Sequence, residues 1–457
     1  MNEIPLQPPY DGRRLCRALV AAGALARVIV FFHLGPFGND NHIQVIKYIY
    51  EHHALPLSTF SDQAYHPPLY HILAACLMPW GVKAVQALSL VFSLGALWVG
   101  AWLLGRPGWL DERSKPWCLG LLALHPQLIL YSLFISNDSL AMLLGLLCFA
   151  QLWRCRQTPR LKQYALLGVC LGLGLLTKVT FLAFALPLTL FVLAQALAGR
   201  ERRPALASAL ACFLLPAIAL GAYKYAANAV QLGHPFFCNL DMNRWNELQH
   251  PTWLGLSSLF DMNLFKLMRH PVIAPATVHS YPLLLYGTFW YGYIPESTLH
   301  GDMTRFRGMG SIIYLLALAP TLLIVAGAGR WVRAAWGALR GAGTGARPWL
   351  FEATVLLTLL LNFGLIVAAG HKYDMWSVFQ GRLLFPSYLG VLILLGQGLI
   401  LVRRAPILDR LARRLLALLL IGFVIYLAGE IVISYLDPVD PLRLYHMLFL
   451  VDMRAGQ

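Results

Sequence analysis

The chain has 457 residues, 58% of them apolar and only 12% charged, and a soluble fold of that length has no core large enough to hide so much hydrophobic surface. The net charge of +15 does not point to nucleic acid, because the basic residues fall in short clusters between apolar runs, as membrane topology signals do. Cys76, Cys118, Cys148, Cys170 and Cys212 are scattered through those runs without paired spacing, so neither a disulfide framework nor a zinc site is indicated.

Taken in chain order, Arg13, Arg14 and Arg17 precede the first apolar run, 18–34. Secretory signals begin in this way, but no small-residue cleavage site ends the run, so a retained span is expected. Further spans are expected at 82–104, 117–134, 140–153, 164–176, 180–198, 205–225, 311–328, 350–369, 383–402 and 415–434, about eleven in all. The runs lack the two-residue alternation of a barrel, and within lipid every backbone group needs a partner inside its own element, so they are expected to be helices. The expected fold class is therefore an all-α polytopic membrane protein. It divides into a cytoplasmic N-terminus (1–17), a transmembrane core (18–225) with a first outer loop (35–81), a second large outer loop (226–310), C-terminal transmembrane helices (311–434) and an outer tail (435–457).

The Lys and Arg residues set the orientation. With the N-terminus in the cytoplasm, every inner segment is basic, from Arg106/Arg113/Lys115 and Arg154/Arg156/Arg160/Lys162 to Arg200/Arg202/Arg203, Arg330/Arg333/Arg340/Arg347 and Arg403/Arg404/Arg410/Arg413/Arg414. An odd span count leaves the C-terminus outside. The outer face then carries both large loops and short turns at 136–139, 177–178 and 371–382, so function is expected there. In the first loop, Ile43, Ile46, Ile49 and Tyr50 lie along one side of an amphipathic stretch. A run over 69–78, too short to span, suits a juxtamembrane helix.

The chemistry-bearing residues follow from that topology. Asp40 sits just beyond the first span, where local sequence favours a helix N-cap and the functional reading is a general base for an attacking hydroxyl. His42 and His66 flank the same loop and read as orienting or packing groups. Asn137 and Asp138 occupy a short outer turn that opens a span, as a helix cap or as a polar contact in a cavity. Lys178, Arg382 and Lys372 are cations on the outer face, against the topology trend, and the first two open helices, where a cation is mildly disfavoured. A phosphate would relieve that, since Arg binds it bidentately and helix N-termini attract it. Taken singly, each of the three also fits ordinary snorkelling to lipid headgroups. An acid near several cations at the membrane rim suggests a phosphate leaving group and a deprotonated hydroxyl, that is, glycosyl transfer from a lipid-phosphate sugar.

At these residues the chain resembles the GT-C superfamily of integral membrane glycosyltransferases that use polyprenyl-phosphate sugars, which includes the dolichyl-phosphate-mannose protein mannosyltransferases and the aminoarabinose and lipopolysaccharide-core transferases. Asn39-Asp-Asn-His42, His66-Pro-Pro-Leu-Tyr70, Ser136-Asn-Asp138 and Gly172-Leu-Gly-Leu-Leu-Thr-Lys178 carry the resemblance in order. Gln380-Gly-Arg-Leu-Leu-Phe-Pro386 continues it late in the chain. The resemblance implies Asp40 as catalytic acid of the first loop and Lys178 and Arg382 as contacts of the carrier phosphate. It implies a single inverting displacement of a sugar from a polyprenyl-phosphate donor to a lipid, glycan or protein acceptor. Asn41 stands where many members have a second acid, so no cofactor is assigned and a divalent metal in the first loop stays open. Expected partners are the donor, the acceptor and membrane lipids, with no nucleic acid, and the expected setting is a bacterial inner membrane facing the periplasm. Two other classes remain: a lipid-linked saccharide flippase or other transporter, disfavoured because no repeat is visible and most charges lie near span ends, and a catalytically silent subunit that binds lipid phosphate and assists a partner.

Overall fold

A computed structural model describes residues 12–33, 41–107, 110–197, 205–238, 241, 256–269, 280–291, 309–340, 349–373 and 378–436. Among these residues every regular element is helical. The helices are α1 (Gly12–His33), α2 (His42–His52), α3 (Leu69–Ala75), α4 (Val82–Leu104), α5 (Lys115–Leu124), α6 (Pro126–Leu130), α7 (Asp138–Gln157), α8 (Leu161–Leu175), α9 (Leu182–Leu197), α10 (Leu206–Gly221), α11 (Tyr223–Leu232), α12 (Leu264–Arg269), α13 (Tyr281–Trp290), α14 (Gly310–Leu339), α15 (Trp349–Tyr373), α16 (Tyr388–Val402) and α17 (Pro406–Leu436). Among the described residues, eight helical segments are long and apolar enough to cross a bilayer, or nine if α10 and α11, bent by 51° at their junction, form one broken span. This is a multi-pass membrane protein, and the expected count of eleven spans is not confirmed. The segments that fall short are α5, α8 and, taken without α11, α10. Each ends at a break or turn, which shortens the continuous helix although the apolar run goes on.

The first outer loop holds the two juxtamembrane helices expected of it, α2 and α3. Helix α2 buries His42, Ile43, Val45 and Ile46 and packs on α3. Its N-cap is Asn41, with φ 53 and ψ 19 and no side-chain capping bond. This corrects the expectation that Asp40 caps the helix: the chain needs a left-handed residue at the junction, which Asn tolerates far better than most residues. Asp40 itself lies outside the described residues.

Two segments form the centre of the bundle. In α7, 83% of the most apolar window is buried in protein, and in the span that runs through α16 the figure is 78%, against 22% for α1. Helix α7 packs on α4 and α8, α8 on α10, α9 on α15, and α16 on α14. A short 3-10 helix, Gly381–Ser387, leads into α16 and lies against α7. Gly145 permits that approach, because a Cβ there would collide with the Pro386 carbonyl oxygen. The closeness of these two segments brings residues more than two hundred positions apart in the chain into one site.

Candidate active site

Asp138, the first residue of α7, is 4% exposed and accepts from two cations. The Lys178 ammonium bonds to its Oδ1, and the Arg382 guanidinium lies 3.4 Å from its Oδ2. Ser136 Oγ donates to Oδ2 at 3.3 Å. All three charged side chains are buried, so the two cations do not snorkel. Removing ions from water is costly unless they are paired, and here two positive charges meet on one carboxylate.

Local structure fixes each partner. Lys178 follows the end of α8, where Thr177 Oγ1 donates back to Leu173 O at 2.7 Å, and the turn is pinned from α7 by Asn137 Nδ2 donating to Thr177 O at 3.1 Å. Asn137 therefore occupies the N-cap position of α7 but spends its side chain across the bundle rather than on its own helix. Arg382 rides on the 3-10 helix, which Asn362 holds through Nδ2 donating to Leu383 O at 2.9 Å and to Ser387 Oγ at 3.0 Å. The Gly381 N–H donates to Thr288 Oγ1 at 2.8 Å, and the Arg382 guanidinium sits 5.5 Å from the Tyr131 ring centre.

The first loop closes over this cluster. The Leu69 N–H at the start of α3 donates to Leu176 O at 3.0 Å, tying the His66-Pro-Pro segment to the Thr177-Lys178 turn. His42 Nδ1 and His71 Nε2 are 2.8 Å apart, one ring donating and the other accepting, and the His66 ring stacks on His42 at 5.6 Å. Burial pushes His42 down to about 3, with Asp138 opposing that shift and Lys178 and Arg382 adding to it. Burial likewise holds His66 and His71 well below the usual imidazole range. His42 is thus within electrostatic reach of Asp138, Lys178 and Arg382. Among the described residues no group of three or more His, Cys, Asp or Glu is arranged to hold a metal ion.

The cluster thus unites His42, His66, Asn137, Asp138, Lys178 and Arg382. Lys372 does not join it: the side chain is 62% exposed and lies 3.3 Å from Asp241 and 2.6 Å from the Tyr373 hydroxyl, so for this residue the headgroup-level reading fits. His71 was missed by sequence reasoning, although it follows the quoted Pro-Pro-Leu-Tyr segment directly and lies one helical turn beyond Pro68. Arg27 was missed as well. It sits inside the first span, 1% exposed, and is the exception to the expectation that charges lie near span ends.

A model of the family described as Dolichyl-phosphate-mannose-protein mannosyltransferase matches residues 80–228, a stretch that includes Asn137, Asp138 and Lys178. No curated protein sequence matches the chain. Among solved structures, ArnT from Cupriavidus metallidurans, crystallised bound to undecaprenyl phosphate, is 13% identical with a TM-score of 0.39, covering 84% of this chain and 77% of that one. The archaeal oligosaccharyltransferase AglB from Archaeoglobus fulgidus, in complex with an inhibitory peptide and a dolichol-phosphate, is 12% identical with a TM-score of 0.44, covering 92% of this chain and 56% of that one. Likeness at this level assigns no residue. Over residues 80–228 the chain is similar to the dolichyl-phosphate-mannose-protein mannosyltransferase family.

Proposed function

We propose that the chain is a polyprenyl-phosphate-dependent membrane glycosyltransferase that moves a sugar to a hydroxyl acceptor on the outer face of a membrane, periplasmic in a bacterial inner membrane, by a single inverting displacement. The observation that supports this most is the meeting of Lys178 and Arg382 on Asp138, which gathers buried positive charge at the end of the bundle where the first loop folds over. In this reading the carrier phosphate binds at the two cations, and their positive charge offsets the negative charge that grows on the leaving phosphate. Asp138, committed to both cations, orients them rather than taking a proton. Asp40 takes the proton of the acceptor hydroxyl as its oxygen attacks the anomeric carbon and the bond from that carbon to the phosphate oxygen breaks. His42, stacked beside the cluster and kept neutral by burial, shapes the cavity without adding to its charge.

The test uses purified protein, a radiolabelled polyprenyl-phosphate sugar and a panel of lipid, glycan and peptide acceptors. Asp40→Asn is expected to keep donor binding and lose transfer, whereas Arg382→Ala is expected to weaken donor binding. Transfer by Asp40→Asn at the wild-type rate would remove Asp40 from the base role. Undiminished donor binding by Arg382→Ala would remove the phosphate site.

A further inference from the structure

At this end of the bundle a third cation is buried, and no described residue neutralises it. Lys224, at the start of α11, is 8% exposed and stands in no ion pair among the described residues. Its ammonium donates to Ala64 O in the first loop at 2.8 Å, which uses one of three N–H donors. A lysine at a span end ordinarily extends toward headgroups and water. This one is turned inward by the 51° bend between α10 and α11 and by the docking of α11 on the first loop, where Ser58 Oγ donates to Asn228 Oδ1 at 2.6 Å and Asn228 Nδ2 donates to Pro235 O at 3.3 Å. Tyr225 of the same helix reaches Leu175 O at 3.5 Å, which places α11 beside the turn that carries Lys178.

The His71 ring is bonded to His42 on one side and is within electrostatic reach of Lys224. Its Nε2 faces His42, whose ring feels Asp138, Lys178 and Arg382, and the ring itself feels Lys224. His71 Nδ1 is fully buried and has no hydrogen-bond partner among the described residues. A buried ammonium with spare donors and an imidazole nitrogen with none of its hydrogen bonding met are both relieved by one ligand chemistry, an oxyanion.

We propose that Lys224 and the Nδ1–H of His71 form a second oxyanion site, separate from the Lys178–Arg382 pair, that takes a phosphate group. The site deepens the donor-binding reading above and rests on it. The phosphate belongs either to a diphosphate carrier, as its second phosphate, or to the acceptor. No carboxylate shares Lys224 among the described residues, so the site binds with its full charge.

The experiment places the full-length protein in neutral phosphatidylcholine nanodiscs, saturates it with polyprenyl monophosphate and titrates inorganic phosphate, followed by phosphorus NMR. Wild type and Lys224→Arg are expected to bind phosphate with the carrier in place. Lys224→Gln, which keeps a donor for Ala64 O and drops the charge, is expected to bind phosphate about tenfold more weakly or worse while its carrier affinity stays at the wild-type value. If Lys224→Gln does not fold, His71→Phe supplies the comparison through a loss of about threefold. A carrier diphosphate that displaces inorganic phosphate and binds more tightly than the monophosphate, in wild type only, assigns the site to the donor. Competition of inorganic phosphate with a phosphorylated acceptor, with equal affinity for both carriers, assigns it to the acceptor. Phosphate binding unchanged by the substitution, or no phosphate binding to the carrier-loaded wild type, overturns the proposal. Carrier binding by Arg382→Ala tests the donor site itself and is independent of Lys224.

Discussion

Two buried cationic regions show how differently one fold can treat positive charge. In the first helix, Arg27 donates Nε to Ser93 Oγ at 2.9 Å, NH1 to Gly23 O at 2.9 Å and Ala123 O at 2.8 Å, and NH2 to Leu122 O at 3.4 Å. Pro126 explains part of that supply of oxygens: it has no N–H to return to Leu122 O, and the helix breaks at His125, freeing the carbonyls at the end of α5. Arg27 fills the break and is itself solvated on all sides by neutral acceptors. At the other region, Lys178 and Arg382 meet on one carboxylate beside the turn that the first loop is bonded to. A charge used up in closing a helix break is architectural, whereas charges gathered on one carboxylate beside a loop are placed to meet a ligand.

The largest test of that contrast is Asp138→Ala, which leaves two buried cations without their carboxylate and is expected to cost roughly 3–5 kcal/mol of stability. Thermal unfolding in detergent measures it. Added polyprenyl phosphate should raise the variant's midpoint more than the wild type's, since the phosphate replaces the missing anion; an equal rise in both would break the link between Asp138 and the donor. Arg27→Met comes next, at roughly 2–4 kcal/mol from the carbonyls left unmet. Its folded fraction should keep the wild-type KM for donor, and a changed KM would mean that Arg27 also serves the site. Gly145→Ala pushes the 3-10 helix away from α7 and is expected to cost about 1–3 kcal/mol, with donor KM rising because Arg382 moves with that segment.

The smallest expected effect is in pH. The folded protein holds the His42 imidazole near 3, below its unfolded value, so between those values the unfolded chain binds more protons and acidification favours unfolding. The stability from His42 is essentially complete above about pH 7.5, is reduced by about 0.8 kcal/mol at pH 6 and goes on falling as the pH drops toward the folded value. Thermal midpoints across that range, compared between wild type and His42→Asn, measure it, and a flat difference between the two would show that His42 is not buried neutral.

Much of the fold was legible because apolar run length and the alternation of basic loops report on each segment separately. The breaks at His125 and Ala222 were not, since whether an apolar run stays straight depends on what its neighbours supply to the freed backbone. Lys178 and Arg382 stood out as cations on the wrong side of the topology. Asp138 looked like a helix cap because its partners lie 40 and 244 positions away, beyond any local pattern. Lys224 carried the same signal as Lys178, a cation at the outer end of a span, but its burial comes from the bend at α10 and α11. Arg27 had a fainter cue, an arginine within an apolar run, whose meaning needed the proline of a different span.

The Leu69 amide bond to the Leu176 carbonyl joins the first loop to the turn before Lys178 through main-chain atoms alone. Such a joint is indifferent to which side chain stands at position 176 but sensitive to the spacing between Gly172 and Lys178, because one inserted residue would rotate the carbonyl away from its donor. Divergence along this stretch should therefore accumulate as replacements, while insertions and deletions are confined to either side of it.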